Sequence, residues 1–88
     1  MKNPREALGD AWGVPKDVSL DLPHMTVSGN KELYIENYKA LLSYDSGSIV
    51  VGSRKLGIAV TGKNLEIKSI RRDDILITGE ILHIEYKI

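Results

Sequence analysis

Valine and isoleucine crowd into one part of this chain, and that crowding limits what it can fold into. Of the 16 Val and Ile residues, 14 follow His24, and 9 of the 10 Ile follow Glu36. β-Branched side chains lose rotamer freedom in helices and suit a pleated, half-buried surface. Between them stand tight-turn signals: Gly29-Asn30, Asp45-Ser46-Gly47, Gly52 to Lys55, and Gly62-Lys63-Asn64. The pattern predicts strands around Met25–Val27, Leu33–Ile35, Ala40–Tyr44, Ile49–Val51, Leu56–Val60 and Leu65–Ser69. In the third of these Ala40, Leu42 and Tyr44 are expected to share a face. A long strand region follows the polar run Arg71-Arg72-Asp73-Asp74. About seven or eight short strands at this spacing specify an all-β fold, a small antiparallel β-sandwich or rolled sheet. A β-solenoid ranks second, because no fixed-period repeat is present.

The last strand region carries an irregularity. Ile75 and Ile77 share one parity, whereas Leu82, Ile84, Tyr86 and Ile88 share the other. A one-residue slip exchanges the faces of a strand, so a bulge or sharp bend is expected at Thr78-Gly79-Glu80. Two strands joined by a turn would give the same pattern. In both readings Gly79 is the hinge.

The first 23 residues are different in kind. They contain all three prolines, Pro4, Pro15 and Pro23, and the only tryptophan, Trp12. Pro4 to Ala11 reads as at most a short helix, with Val14 to Pro23 an extended connector. The expected organisation is therefore an N-terminal segment over 1–23 and a β-domain over 24–88. Trp12 would dock either on the protein's own sheet or on a partner or second copy.

Composition removes several classes of chemistry. A length of 88 residues accommodates one domain with one core. The chain has no cysteine, which excludes disulfides, thiolate-held zinc, iron–sulfur clusters and thiol catalysis. Twelve Lys and Arg balance twelve Asp and Glu, whereas a nucleic-acid protein usually carries a basic surplus. No apolar run reaches the roughly 18–20 residues of a membrane span, and no signal-peptide centre is visible. A cytoplasmic protein without nucleic-acid partners is expected.

Gly57-Ile58-Ala59-Val60-Thr61-Gly62-Lys63-Asn64 nearly matches the phosphate-binding loop. The last position lacks the hydroxyl that holds magnesium, and the flanking residues alternate as strands do, so a hairpin turn is the expected structure. His24 and His83 have no helical ligand spacing, and surface positions are expected for both. Arg71-Arg72-Asp73-Asp74 reads as a solvated turn. No cofactor, metal site or catalytic residue is assigned.

Leu33-Tyr34-Ile35-Glu36-Asn37-Tyr38-Lys39 brings aromatic and polar side chains onto neighbouring positions. The plain reading is a strand and a turn, with Asn37 making local hydrogen bonds. The functional reading is a protein-recognition surface of Tyr34, Glu36 and Tyr38, with Leu33 and Ile35 turned to the core. The opposite parity, with Tyr34 buried, is equally compatible with three consecutive apolar residues.

Here the chain resembles the YabP/YqfC family of sporulation proteins, nearer its YqfC branch. The resemblance runs through Val14-Pro15-Lys16-Asp17-Val18, Asp21-Leu22-Pro23, Val27-Ser28-Gly29-Asn30 and Leu33-Tyr34-Ile35-Glu36-Asn37. It continues through Gly62-Lys63-Asn64-Leu65-Glu66-Ile67 and Asp74-Ile75-Leu76-Ile77-Thr78-Gly79-Glu80-Ile81. Tyr38-Lys39-Ala40 departs from it, standing where the family has a sequence closer to His-Lys-Gly. The resemblance implies a small β-rich, non-enzymatic protein of the mother cell, needed for spore envelope assembly of coat or cortex. It also implies a protein partner, an integral membrane sporulation protein, and a place at the forespore membrane. A homo-oligomer is compatible with a domain this small. The family brings no catalytic residues.

Overall fold

The computed structural model describes residues 22–88. The N-terminal helix or connector expected before Leu22, and Trp12 with it, lie outside the described residues. Within them are six strands: β1 (His24–Ser28), β2 (Glu32–Glu36), β3 (Ala40–Asp45), β4 (Ser48–Gly52), β5 (Gly57–Ile70) and β6 (Asp74–Lys87). They form one antiparallel sheet in the order β1-β2-β6-β5-β4-β3, open at both edges rather than closed into a barrel.

The all-β class is as expected, but the strand count is not. Six strands replace seven or eight because β5 and β6 each run 14 residues. The segment Gly62-Lys63-Asn64, expected to be a hairpin turn, lies inside β5 and kinks it without reversing it. Turn-type residues are there for a different reason. Asn64 takes a φ of 54°, and β5 carries two residues, Asn64 and Leu65, opposite Gly79 alone. β6 bends alongside, so both strands change direction together.

That shared bend divides the sheet into two leaves. One holds β1, β2, the start of β6 and the end of β5; the other holds β3, β4, the start of β5 and the end of β6. The leaves fold over a single core. Leu33, Ile35, Ile75 and Ile77 from the first join Ile49, Val51, Ile58 and Val60 from the second in one buried cluster. The Ile67 amide of the first leaf donates to the Tyr44 hydroxyl of the second at 3.4 Å. A bulge at Leu42 puts Leu41 and Tyr44, rather than Ala40, Leu42 and Tyr44, on a common face opposite Val51 and Ile49.

The fold line is held by close backbone approach. A Cβ on Gly62 would run into the Glu80 carbonyl oxygen, and one on Gly79 would stand 2.6 Å from that of Asn64. Gly79 also has a φ of 134°, a region that residues with a Cβ rarely enter. Two hairpin turns dock on this crossing from opposite sides. The Gly79 and Ile81 amides donate to the carbonyls of Lys31 and Asn30, at 3.1 and 2.8 Å. Those of Gly62 and Leu65 donate to Gly47 and Ser46, at 3.1 and 2.9 Å. At the far end the three-residue connection from β2 to β3 crosses between leaves. Its Asn37 and Lys39 amides donate to the carbonyls of Asp73 and Gly52.

Gly79 is thus the demanding residue the parity pattern pointed to, but the parity itself changes three residues later. Ile81 is still buried, Leu82 is half exposed, and Ile84 packs on the core. Leu82 is the extra residue of β6 between the pairs Thr61–His83 and Gly62–Ile81. Replacing Gly79 by Ala or Val, or Gly62 by Ala, should each cost more than about 2 kcal/mol in urea unfolding. A loss below about 0.5 kcal/mol, the scale of an ordinary surface change, would show that the crossing is not tight.

Candidate functional site

The pleat of β2 decides which side chains are available for contact. Leu33 and Ile35 are completely buried, which turns Glu32, Tyr34 and Glu36 to the outer face of the first leaf. Register then brings distant residues beside them. Tyr34 stands between Thr26 of β1 and Leu76 of β6, and Glu36 between His24 and Asp74. Glu32 lies between Ser28 and Thr78, and Thr78 is next to Glu66 of β5. The result is an outer face with Tyr34 and Leu76 at its centre and Glu32, Glu36, Glu66 and Asp74 around them. Arg71 pairs with Asp74 at its edge, and exposed Lys68 lies in β5 beside Leu76.

Arg71 and Asp74 close the turn between β5 and β6. Arg71 Nε donates to Asp74 Oδ1 at 2.9 Å, and the Arg71 amide donates to the Asp74 carbonyl at 2.8 Å. The guanidinium hydrogen bond holds the Asp74 carboxyl below its ordinary range and raises Arg71 in turn. Partial desolvation raises the Tyr34 phenol, and the hydrogen bond and charge of Asp74 add to it. Tyr34, Asp74 and Arg71 therefore form one polar group on the rim of the aromatic centre. The sequence placed Asp74 and Arg71 in a self-compensating turn. Their proximity to Tyr34 comes from the β2–β6 pairing, which no local pattern carries.

Tyr38 is a different case. It was expected to face outward with Tyr34 and Glu36, but it is buried, with 6% of its surface exposed. Its hydroxyl donates to the Arg71 carbonyl at 2.6 Å, from the connection between leaves. Asn37 takes a φ of 66° immediately before it and donates through Nδ2 to the Leu22 carbonyl. That left-handed residue breaks the alternation of β2 and turns Tyr38 inward, where it caps the open end of the core.

Other residues singled out in the sequence are scattered. His24 is exposed at the start of β1 and His83 is exposed in β6. Lys63 borders an open hollow of about 470 Å³ shared with Lys31, Glu32, Asn64, Thr78, Gly79 and Glu80. No helix opens after Lys63, so the amide cradle of a phosphate-binding loop is not formed there. Among the described residues no group of three His, Cys, Asp or Glu could hold a metal ion. Among the same residues, no helix is long and apolar enough to cross a membrane.

An open antiparallel sheet with exposed edges and an aromatic, acidic outer face belongs to the class of all-β interaction proteins. Comparison with known proteins gives the family. The model of the YabP family matches residues 21–88. The chain is 35% identical over 76 residues to a Bacillus subtilis (strain 168) protein described as uncharacterized protein YqfC, covering 86% of this chain and 82% of that protein. No solved structure matches. The chain belongs to the YabP family, as a non-enzymatic sporulation protein of the mother cell that acts through protein–protein contacts.

Two outcomes follow from this geometry. Tyr38→Phe removes one buried hydrogen bond without changing the packed ring, and should lower stability by about 1 kcal/mol in urea unfolding. No change would mean that the Arg71 carbonyl finds water instead. Asp74 has a lowered folded pKa, so its contribution is complete above the ordinary carboxylate range and is lost as the pH falls through the folded value. Asp74→Asn should therefore flatten the acid limb of a stability–pH curve, and an unchanged limb would contradict the pairing with Arg71.

Proposed function

We propose that this protein takes part in spore envelope assembly, of coat or cortex, by holding a protein partner against the outer face of its first leaf. The observation that carries this reading is the direction of Tyr34 and Glu36. Both leave the sheet on the side opposite Leu33 and Ile35, where the core makes no use of them. A half-buried tyrosine supplies the kind of aromatic anchor that dominates many protein interfaces, and the carboxylates around it give the contact a charge that selects its partner. The complementary partner surface is basic. In this reading Trp12, from the segment that precedes the sheet, is a further contact residue, either on the sheet or on the partner.

A second reading rests on β3. All six of its residues are exposed, including Leu41, Leu42 and Tyr44, and its outer edge has no neighbouring strand among the described residues. Such an edge accepts an added strand through main-chain hydrogen bonds. An integral membrane sporulation protein donating that strand would make this chain an adaptor, peripheral at the forespore membrane on its mother-cell side.

Paired substitutions separate the two readings. Tyr34→Ala combined with Glu36→Ala should leave the melting temperature within a few degrees of wild type while reducing partner capture from sporulating cells and impairing spore maturation. A proline at Leu41, whose N–H points away from β4, should reduce partner capture in the same way if strand addition at β3 is the working contact. Normal spores from the Tyr34/Glu36 variant, with normal melting, would remove the outer face from the functional account.

A further inference from the structure

The bend that creates two leaves also creates an edge in the middle of a strand. β6 pairs with β2 only over Asp74–Thr78, and past the bend it pairs with β5 alone. The β1–β2 turn occupies the Gly79 and Ile81 amides. From Leu82 onward, among the described residues, nothing pairs with the side of β6 that faces away from β5. That side carries no proline, and what blunts it is the bulge at Leu82 and the charged Glu85 and Lys87. Leu82 is 50% exposed and Tyr86 57% exposed, with Ile84 between them.

Chirality fixes which backbone groups this edge presents. In a strand of given direction, the side-chain face determines the edge to which a residue's N–H and C=O point. Ile75, Ile77 and Ile81 have inward side chains, and the Ile81 amide points away from β5 to the β1–β2 turn. After the extra residue Leu82, the inward set becomes Ile84 and Tyr86, which pair with Val60 and Ile58. The free edge therefore offers the N–H and C=O of Ile84 and Tyr86, while Glu85 and Lys87 point to the outer face.

We infer that this edge pairs with the same edge of a second copy, antiparallel about a two-fold axis at Tyr86. In that register Tyr86 meets Tyr86, Ile84 meets Ile88, and Glu85 stands opposite Lys87 twice over. The charges choose it. Shifting the axis to Glu85 would set two glutamates face to face, which is unfavourable for directly opposed residues. The β3 edge lacks this self-complementarity, because its only charge is Asp45 and its bulge at Leu42 breaks the line of backbone groups. The contact extends the second leaf and leaves the Tyr34 face uncovered, so it stands apart from the reading of that face as a partner site.

The test is the mass of the full chain by analytical ultracentrifugation over a range of concentrations. Wild type is expected as a dimer. Glu85→Lys and Lys87→Glu should each weaken dimerisation by about tenfold or more, and the double variant Glu85→Lys/Lys87→Glu should restore it. Both residues are exposed, so circular dichroism should show every variant folded. Hydrogen exchange should find the Ile84 and Tyr86 amides protected in the dimer. A wild type that stays monomeric throughout would overturn the inference, including the case in which residues 1–21 cover this edge. A dimer indifferent to both single substitutions would overturn it as well.

Discussion

Everything in this fold depends on how closely two long strands pass each other at Gly62 and Gly79. Neither position has room for a side chain, because the carbonyl oxygens of Glu80 and Asn64 fill the space. The approach bends β5 and β6 together, and the bend lets a single six-stranded sheet cover its own apolar face. Without it, Leu33, Ile35, Ile75 and Ile77 would face water on one leaf while Ile49, Val51, Ile58 and Val60 did so on the other. The hairpin turns at 29–31 and 46–47 then satisfy backbone amides of β6 and β5 that lie past the ends of β2 and β4 and so have no strand partner on that side. Unpaired buried amides are costly, so the turns and the crossing stabilise each other.

The surfaces are consequences of the same bend. Folding the leaves together fixes the inward parity of β2, which sends Tyr34 and Glu36 outward. It separates the end of β6 from β2 and so opens a second edge within the sheet. It also leaves β3 exposed along its whole length. Among the described residues the sheet offers broad contact surface and only open hollows, in keeping with a family whose members work through protein contacts rather than chemistry.

Much of this was legible in the sequence. The Val and Ile crowding gave strands where strands are, and the shift of parity after Ile77 pointed to a break in β6 near Gly79. What misled was the meaning of Gly62-Lys63-Asn64. Glycine and asparagine announce backbone conformations, and a turn and a two-residue bulge call for the same ones. Only the neighbouring strand decides between them, and that neighbour lies some 15–20 residues away in sequence. Tyr38 failed for a related reason. Alternation with Tyr34 and Glu36 placed it outward, but Asn37 in the left-handed region resets the direction of the chain. The acidic ring around Tyr34 depends on β2–β6 pairing across some forty residues, and local periodicity contains no trace of it.

The most direct measurement of the central claim is native-state hydrogen exchange at four amides. Gly62, Leu65, Gly79 and Ile81 donate to Gly47, Ser46, Lys31 and Asn30, and together they tie both hairpin turns to the crossing. If the crossing holds the leaves together, these amides open only when the whole domain unfolds. Their exchange free energies should then equal those of Ile35, Ile58 and Ile77 in the strand centres. Exchange at these four positions far faster than in the strand centres would contradict the account, because the leaves would then stay folded while the turns and the bend came apart.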